Sequence, residues 1–350
     1  MKFIHRVAGV ATGMALGLFG ISHADAGCVS NPRAQSSASF PASLTGKLVY
    51  HSYVDYGDGT SQIYLYDFSA RTLTRLSQPS WGITDPMNAV FSPDGKWLTF
   101  MGIANNAWNV FMYALGSNAA PINMTNSTGA TRNEDPKFSA DGKSIVFKQN
   151  GDVKLATLSY TSTGPVFTSV ASLTNVPAGS EYSMPFLAPD SSAVYYASGT
   201  GAKMGVMKRM LGTGVTSTYD HPAGLQAYYP IARADGTVFY TRWKNKGQLD
   251  QIYAKTPDPA STPDQLALND CVSNNSDPAP VSGTNYLFFS STTAGGYQLY
   301  LGDTVTGQRW SLTPFGVNAD TSRAKLGPSY FGGNAASQTS LTPRRRVHRA

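Results

Sequence analysis

One unit of sequence recurs along most of this chain, and few architectures accommodate it. Phe91-Ser92-Pro93-Asp94-Gly95-Lys96-Trp97-Leu98-Thr99-Phe100 returns as Phe138-Ser139-Ala140-Asp141-Gly142-Lys143-Ser144-Ile145-Val146-Phe147. Weaker copies follow at Leu187-Ala188-Pro189-Asp190 with Val194-Tyr195-Tyr196, and at Ala234-Asp235-Gly236 with Val238-Phe239-Tyr240. The last is Val281-Ser282-Gly283 with Tyr286-Leu287-Phe288-Phe289. Copies roughly 45 to 50 residues apart match the period of a four-stranded propeller blade.

Each copy divides into strands. The first ends at an Asp-Gly turn, where Gly takes positive φ at little cost and the chain reverses. The second alternates apolar residues up to an aromatic. A third recurs as Gln62-Ile63-Tyr64, Asn109-Val110-Phe111, Asp152-Val153-Lys154, Gly205-Val206-Met207, Gln251-Ile252-Tyr253 and Gln298-Leu299-Tyr300. The fourth ends in Leu76-Ser77, Met124-Thr125, Leu173-Thr174 or Leu312-Thr313. The earliest unit starts with a second strand, Gly46 to Tyr50, and the segment Lys325 to Phe331 is a first strand with no blade of its own. The C-terminal strand is therefore expected to complete the N-terminal blade and remove the open edge of the ring. The fold class predicted is all-β, a six-bladed β-propeller of four-stranded antiparallel blades. Charged residues at 14% and abundant Tyr, Phe and Gly fit many short strands with few solvent-facing helices.

The unit Asp135-Pro136-Lys137-Phe138-Ser139-Ala140-Asp141-Gly142-Lys143 resembles the repeat of the TolB-like family, a WD40-like or PD40 propeller repeat. The resemblance covers residues 46 to 332 and implies the propeller alone. Relatives of this kind include TolB, oligogalacturonate lyases and propeller-bearing peptidases. The stretch from Cys28 to Thr45 is too short for the N-terminal α/β domain of TolB, and no Gly-x-Ser-x-Gly elbow of a hydrolase occurs.

The ends suggest export. Lys2 and Arg6 precede an apolar run from Val7 to Ile21, and Ala24-Asp25-Ala26 has the small-x-small pattern of a cleavage site. The run is too short and too Gly-rich to span a bilayer stably, so no transmembrane segment is expected after cleavage. Asp25 stands where a lipobox carries Leu, which argues against a lipidated Cys28. The resulting division is a signal peptide at 1–26, a linker at 27–45, the propeller at 46–332 and a basic tail at 333–350. The expected location is periplasmic or secreted. Cys28 and Cys271 are the only cysteines, and in an oxidising compartment they pair most simply as one disulfide; two unpaired thiols are the alternative.

Net charge is +6, but Lys2, Arg6, Arg344, Arg345, Arg346 and Arg349 lie in the signal and the tail. The folded body is close to neutral, so no nucleic-acid surface is expected. The tail reads as a disordered end, or as a weak adhesive for an anionic envelope surface.

The loops before each first strand, and those between second and third strands, share one face of a propeller, where ligands usually bind. Alignment on the repeat Pro makes Asn88, Asp135, Met184, Tyr229, Asp277 and Gly327 equivalent at the channel mouth. Glu134, Asp135 and Asp277 could converge on calcium, a hard ion that takes oxygen ligands. The plainer reading is that Asp before Pro caps the strand entry, which leaves Asp135 and Asp277 as weak metal candidates and no cofactor expected. Arg132 and Glu134 fall outside the repeat and are stronger ligand candidates. Tyr53, Tyr56, Trp108, Tyr182, Tyr228, Tyr229 and Trp243, with Arg242, suit sugar stacking or hydrophobic anchors of a peptide; inter-blade packing is the alternative for each ring.

These residues predict a monomeric binding module for an envelope protein segment or a glycan. The alternative is a uronate- or oligogalacturonate-type polysaccharide lyase. Of the five histidines only His51 and His221 lie in the propeller, too few for a multi-His metal centre. His51 or Tyr229 would then serve as a metal-free base or acid.

Overall fold

The computed structural model describes residues 39–199, 204–244, 248–258 and 260–333. The export signal, Cys28 and so its pairing with Cys271, and the tail from 334 onward lie outside the described residues. Six four-stranded antiparallel sheets form the ring. Blade 1 contributes β1 (Lys47–Tyr53), β2 (Gln62–Asp67) and β3 (Thr72–Arg75). Blade 2 holds β4 (Thr84–Phe91), β5 (Trp97–Ala104), β6 (Ala107–Ala114) and β7 (Ile122–Asn123). Blade 3 holds β8 (Asn133–Phe138), β9 (Ser144–Gln149), β10 (Asp152–Thr161) and β11 (Gly164–Ser172). Blade 4 holds β12 (Tyr182–Leu187), β13 (Ala193–Ser198), β14 (Gly205–Met210) and β15 (Thr216–Asp220). Blade 5 holds β16 (Gln226–Ala232), β17 (Val238–Lys244), β18 (Gln248–Lys255) and β19 (Asp264–Gln265). Blade 6 holds β20 (Asn275–Pro280), β21 (Tyr286–Ala294), β22 (Gly296–Asp303) and β23 (Arg309–Ser311). The last strand, β24 (Ala324–Phe331), pairs with β1 and closes the ring as the sequence predicts.

The repeat signature has a hydrogen-bond reason. In blade 2 the Ser92 hydroxyl donates to Asp94 Oδ1 at 2.6 Å, and the Trp97 amide donates back to Ser92 Oγ at 2.9 Å. Blade 3 repeats this, with Ser139 donating to Asp141 at 2.6 Å and the Ser144 amide to Ser139 Oγ at 2.9 Å. The Leu-Ser/Thr signature pins the third strand. Ser77, Thr125 and Thr174 each accept from the backbone N–H of Ile63, Val110 and Val153, at 2.9–3.1 Å. In blades 5 and 6 an asparagine takes that role, Asn269 for Ile252 and Asn318 for Leu299, even though blade 6 keeps Leu312-Thr313.

The apolar core is divided among the seams between blades. One cluster joins Leu48, Tyr50 and Tyr66 of blade 1 to Phe288, Leu299 and Leu301 of blade 6, with Phe40 and Leu44 packed on it. The five other seams carry their own clusters. Burial of apolar area at every seam, rather than in one centre, is what holds blade to blade.

The innermost strand of every blade carries the same irregularity. Two residues oppose one on the neighbouring strand: Asp135 and Pro136 against Phe147, Tyr229 and Pro230 against Tyr240, Gly327 and Pro328 against Tyr50. The same bulge holds Asn88, Met184 and Asp277 in blades 2, 4 and 6. All six leading residues are left-handed, with φ between 52° and 59°. Gly, Asn and Asp adopt that conformation readily, whereas Met184 and Tyr229 do so against side-chain sterics.

Gly327 is the bulge position with least room. A Cβ there would stand 2.8 Å from His51 Nδ1 and 3.0 Å from Asn88 Oδ1. Gly283 has similar φ, and nothing lies within 4 Å of a Cβ added to it. Gly327→Ala should therefore lower unfolding stability by ~2 kcal/mol or more, against ~1 kcal/mol for Gly283→Ala, when urea midpoints are compared. Equal losses would mean that the channel wall yields freely.

Candidate functional site

The bulges organise the channel into layers. The residues just before them are Met87, Glu134, Ser183, Tyr228, Ser276 and Leu326, and all six line a cavity of about 210 Å³ at the upper mouth. The bulge residues Asn88, Asp135, Met184, Tyr229 and Asp277 form its floor. Two residues further along each strand come Val90, Lys137, Phe186, Ile231, Ala279 and Ser329, which line a second cavity of about 230 Å³ on the opposite side. Tyr229 borders both. The bulge layer thus separates an upper chamber lined by Arg132, Glu134, Asp135, Lys148, Glu181, Asp250 and Asp277 from a lower one whose charged lining residues are Lys137 and Arg233.

Ion pairs fix one side of the upper chamber. Arg132 grips Glu134 through Nε at 3.0 Å and a terminal nitrogen at 3.1 Å, and it reaches Glu181 at 3.4 Å. The buried Lys148 ammonium pairs with Glu134 at 2.5 Å and also with Glu181. Two cations and two carboxylates therefore neutralise each other.

The opposite side is a carboxylate held by tyrosines. Tyr228 donates to Asp250 Oδ1 at 2.8 Å and Tyr297 donates to Oδ2 at 3.0 Å. Burial pushes the Asp250 carboxyl up to about 6, although both hydroxyl bonds favour its charged form. The same burial, with the nearby Asp250 charge, drives the Tyr228 hydroxyl well above the ordinary tyrosine range.

The floor holds the bulge-layer charges. Asn88 Nδ2 donates to Asp135 Oδ1 at 2.8 Å, and the Gly327 amide donates to Asp277 Oδ2 at 3.0 Å. Lys137 is buried below them, its ammonium 5.6 Å from the Tyr229 ring centroid. Burial depresses it, while Asp135 and Asp277 pull it back toward the charged form. The His51 imidazole accepts the Asn88 amide at Nδ1, 3.3 Å, and stacks on Tyr53. Burial, reinforced by the Lys137 charge, lowers it to about 3, so His51 is neutral.

The structure gathers Arg132, Glu134, Tyr53, Tyr56, Tyr228, Tyr229, His51, Asp135 and Asp277 around this chamber. Tyr53 and Tyr56 meet edge to face at the rim, centroids 6.1 Å apart. Their loop is pinned by Asp85, which accepts from Gly59 and Ser61 at 3.1 and 3.2 Å. Four other sequence candidates have structural partners elsewhere. Arg242 forms a bidentate pair with Asp220 at 2.7–2.8 Å and stacks on Tyr253, and its neighbour Trp243 pairs with Gln226. Tyr182 packs on Tyr196, and Trp108 is held through its backbone by Thr131 and Asn133. Among the described residues no group of three or more His, Cys, Asp or Glu is placed to hold a metal.

Comparison with known proteins bears on the fold. No protein-family description and no curated protein matches the sequence. TolB from Acinetobacter baumannii superposes with a TM-score of 0.60 at 13% identity, over 84% of this chain and 68% of that one. A putative TolB from Agrobacterium tumefaciens gives 0.56 at 17%, over 82% and 98%. Hydrazine synthase from Kuenenia stuttgartiensis gives 0.62 at 13%, over 82% of this chain and 46% of that one. The fold is that of a TolB-like six-bladed propeller. At these identities the likeness extends to the fold alone.

Within this TolB-like ring, several residues of the chamber escaped the sequence reading: Lys137, Lys148, Glu181, Asp250 and Tyr297. Stacking the copies exposes three of them. Lys137 is the charged member of a layer otherwise apolar or Ser, and Asp250 and Tyr297 stand where other blades place Ser61, Gly151 or Met204. Departure from the repeat was the available signal.

Asp250 is the chamber group whose charge changes near neutrality. Its folded value lies above the ordinary 3.8, so the folded state binds the extra proton between pH 4 and 6. Stability should fall as pH rises through that window, by ~3 kcal/mol at most. Asp250→Asn should flatten the dependence when urea midpoints of both proteins are followed from pH 4 to 7. Identical slopes would remove Asp250 as the cause.

Proposed function

We propose that this protein is an exported binding module whose upper channel mouth receives part of an envelope ligand, a protein segment or a glycan. The observation that carries the reading is the chamber itself: a preformed cavity in the ring axis, with a tyrosine rim and polar groups at fixed positions on rigid strands. Its volume suits one side chain, a chain end or a single sugar ring, so the remainder of a larger ligand would lie across the loops. The signal-like N-terminus supports a periplasmic or secreted location. Among the described residues no helix is long and apolar enough to cross a membrane.

The lyase alternative draws little from His51 and Tyr229. A base works best with a pKa near the working pH. The imidazole is held down at about 3 and the phenol is pushed well above its ordinary range. If catalysis occurs here, Asp250, raised to about 6, is the better-tuned group.

The rim separates these readings without disturbing the core, because Tyr56 is half exposed. A Tyr53→Ala/Tyr56→Ala variant should lose at least ten-fold of the affinity for whatever ligand a glycan array or an envelope-extract pull-down returns. Arg233→Ala, on the lower side, should retain it. Capture indifferent to the rim would overturn the proposal. Release of unsaturated products from uronic-acid polymers, lost in Asp250→Asn, would replace it with the lyase reading.

A further inference from the structure

The lower chamber has a charge pattern of its own. Among the described residues that line it, Lys137 and Arg233 are charged and none is acidic. Arg233 is already engaged: its guanidinium pairs with Asp235, through Nε at 3.0 Å, and lies over the Phe239 ring. Lys137 differs. It is 5% exposed, it lines the lower chamber and not the upper, and among the described residues it forms no ion pair. Its ammonium stands 5.6 Å from the Tyr229 ring centroid.

Burial without a counter-ion in contact is unfavourable for an ammonium. Asp135 and Asp277 act on Lys137 from the bulge layer above, where they accept from Asn88 and from the Gly327 amide. The loss of water outweighs their pull and holds the lysine below its ordinary range. An anion in the lower chamber would have the ammonium between itself and those carboxylates. It would meet the lysine at contact and the carboxylates a layer further off, so the short-range attraction prevails. Ser329, in the same layer as Lys137, offers a hydroxyl donor. The rest of that layer selects the class of anion. Val90, Phe186, Ile231 and Ala279 present apolar walls, against which a phosphate or sulfate would lose hydration without replacement. One ammonium also matches a single negative charge. A monocarboxylate with an aliphatic body satisfies both conditions. An apolar cavity of about 150 Å³ holds benzene, so the lower chamber holds an acid of roughly six or seven carbons.

We propose that the lower chamber binds an aliphatic monocarboxylate, whose carboxylate pairs with Lys137 while its carbon chain packs on Val90, Phe186, Ile231 and Ala279. This site is separate from the upper mouth and stands whether or not a ligand enters there. A free aliphatic acid and the carboxyl terminus of an apolar peptide share that chemistry.

The test is calorimetric titration of the purified protein with sodium hexanoate, n-hexanol, n-hexylammonium chloride and sodium phosphate. It is run at two temperatures, because burial of apolar surface changes the heat of binding with temperature and a vanishing heat at one cannot then hide it. Hexanoate should bind at least ten-fold more tightly than the alcohol or the amine, and phosphate should not displace it. Lys137→Met keeps the length of the side chain, removes the charge and should weaken hexanoate at least ten-fold. Ser329→Phe leaves the lysine in place and fills the chamber. It should weaken hexanoate as much with an unchanged circular dichroism spectrum, so a misfolded Lys137→Met protein would not leave the matter open. A short peptide ending in two leucines, as free acid and as amide, separates the sources. Tighter binding of the acid than of both its amide and hexanoate identifies a chain end, and hexanoate tighter than either peptide identifies a small acid. Equal binding of hexanol, tighter binding of hexylammonium, displacement by phosphate, undiminished binding in a folded variant, or no heat with hexanoate at either temperature would overturn the assignment.

Discussion

Six left-handed residues, one per blade, set the form of this channel. Each sits at a bulge on an innermost strand, opposite a buried aromatic on the second strand: Tyr50, Phe100, Phe147, Tyr196, Tyr240 or Phe289. A regular ladder would alternate side chains between the two faces of the blade. The extra residue breaks that alternation once, and in doing so turns one side chain toward the axis. The aromatic opposite belongs to the seam with the preceding blade. Bulge, aromatic and seam are therefore one unit, so the inner wall is as rigid as the core behind it.

This coupling explains what was legible in the sequence. Asp-Pro, Ser-x-Asp-Gly and Leu-Ser/Thr recur because each satisfies a fixed backbone need, and needs that repeat in every blade leave repeats in the sequence. Blade number and closure followed from them, as did the equivalence of Asn88, Asp135, Met184, Tyr229, Asp277 and Gly327. Partnerships between blades were not legible. Arg242 reads as an exposed loop cation until Asp220, on the preceding blade, is seen beside it. Lys148 sits inside a strand that reads as ordinary repeat; it faces Glu134 across its own blade, and only the ring brings it to Glu181 on the next one. Pairing across seams depends on the rotation between blades, which no local pattern encodes.

The chamber is also costly for its size. Met184 and Tyr229 hold a backbone conformation that favours Gly, Lys137 is buried without an ion-pair partner among the described residues, and Asp250 is ionised only against its surroundings. Each feature opposes stability by ~1–3 kcal/mol, and the seams must offset it. The layer below shows that the fold does not require this in every blade, since Val90, Phe186, Ile231 and Ala279 fill four of its six positions with apolar side chains.

The asymmetry between the two chambers is the strongest structural argument for function at the upper one. A propeller stabilised only by its seams could carry small or apolar residues at all three layers of the channel. Here the charged substitutions collect in the layer before the bulges and at the bulges themselves, with Lys137 the charged residue of the layer below. They fall on blades 3, 5 and 6 more than on the others, so the chamber is lopsided: paired charges on the blade 3 side, the tyrosine-held carboxylate of blade 5 across from them. A ligand entering such a space meets different chemistry on each side and is oriented as well as bound. Six-fold repetition supplies the scaffold, and the site arises where individual blades depart from it.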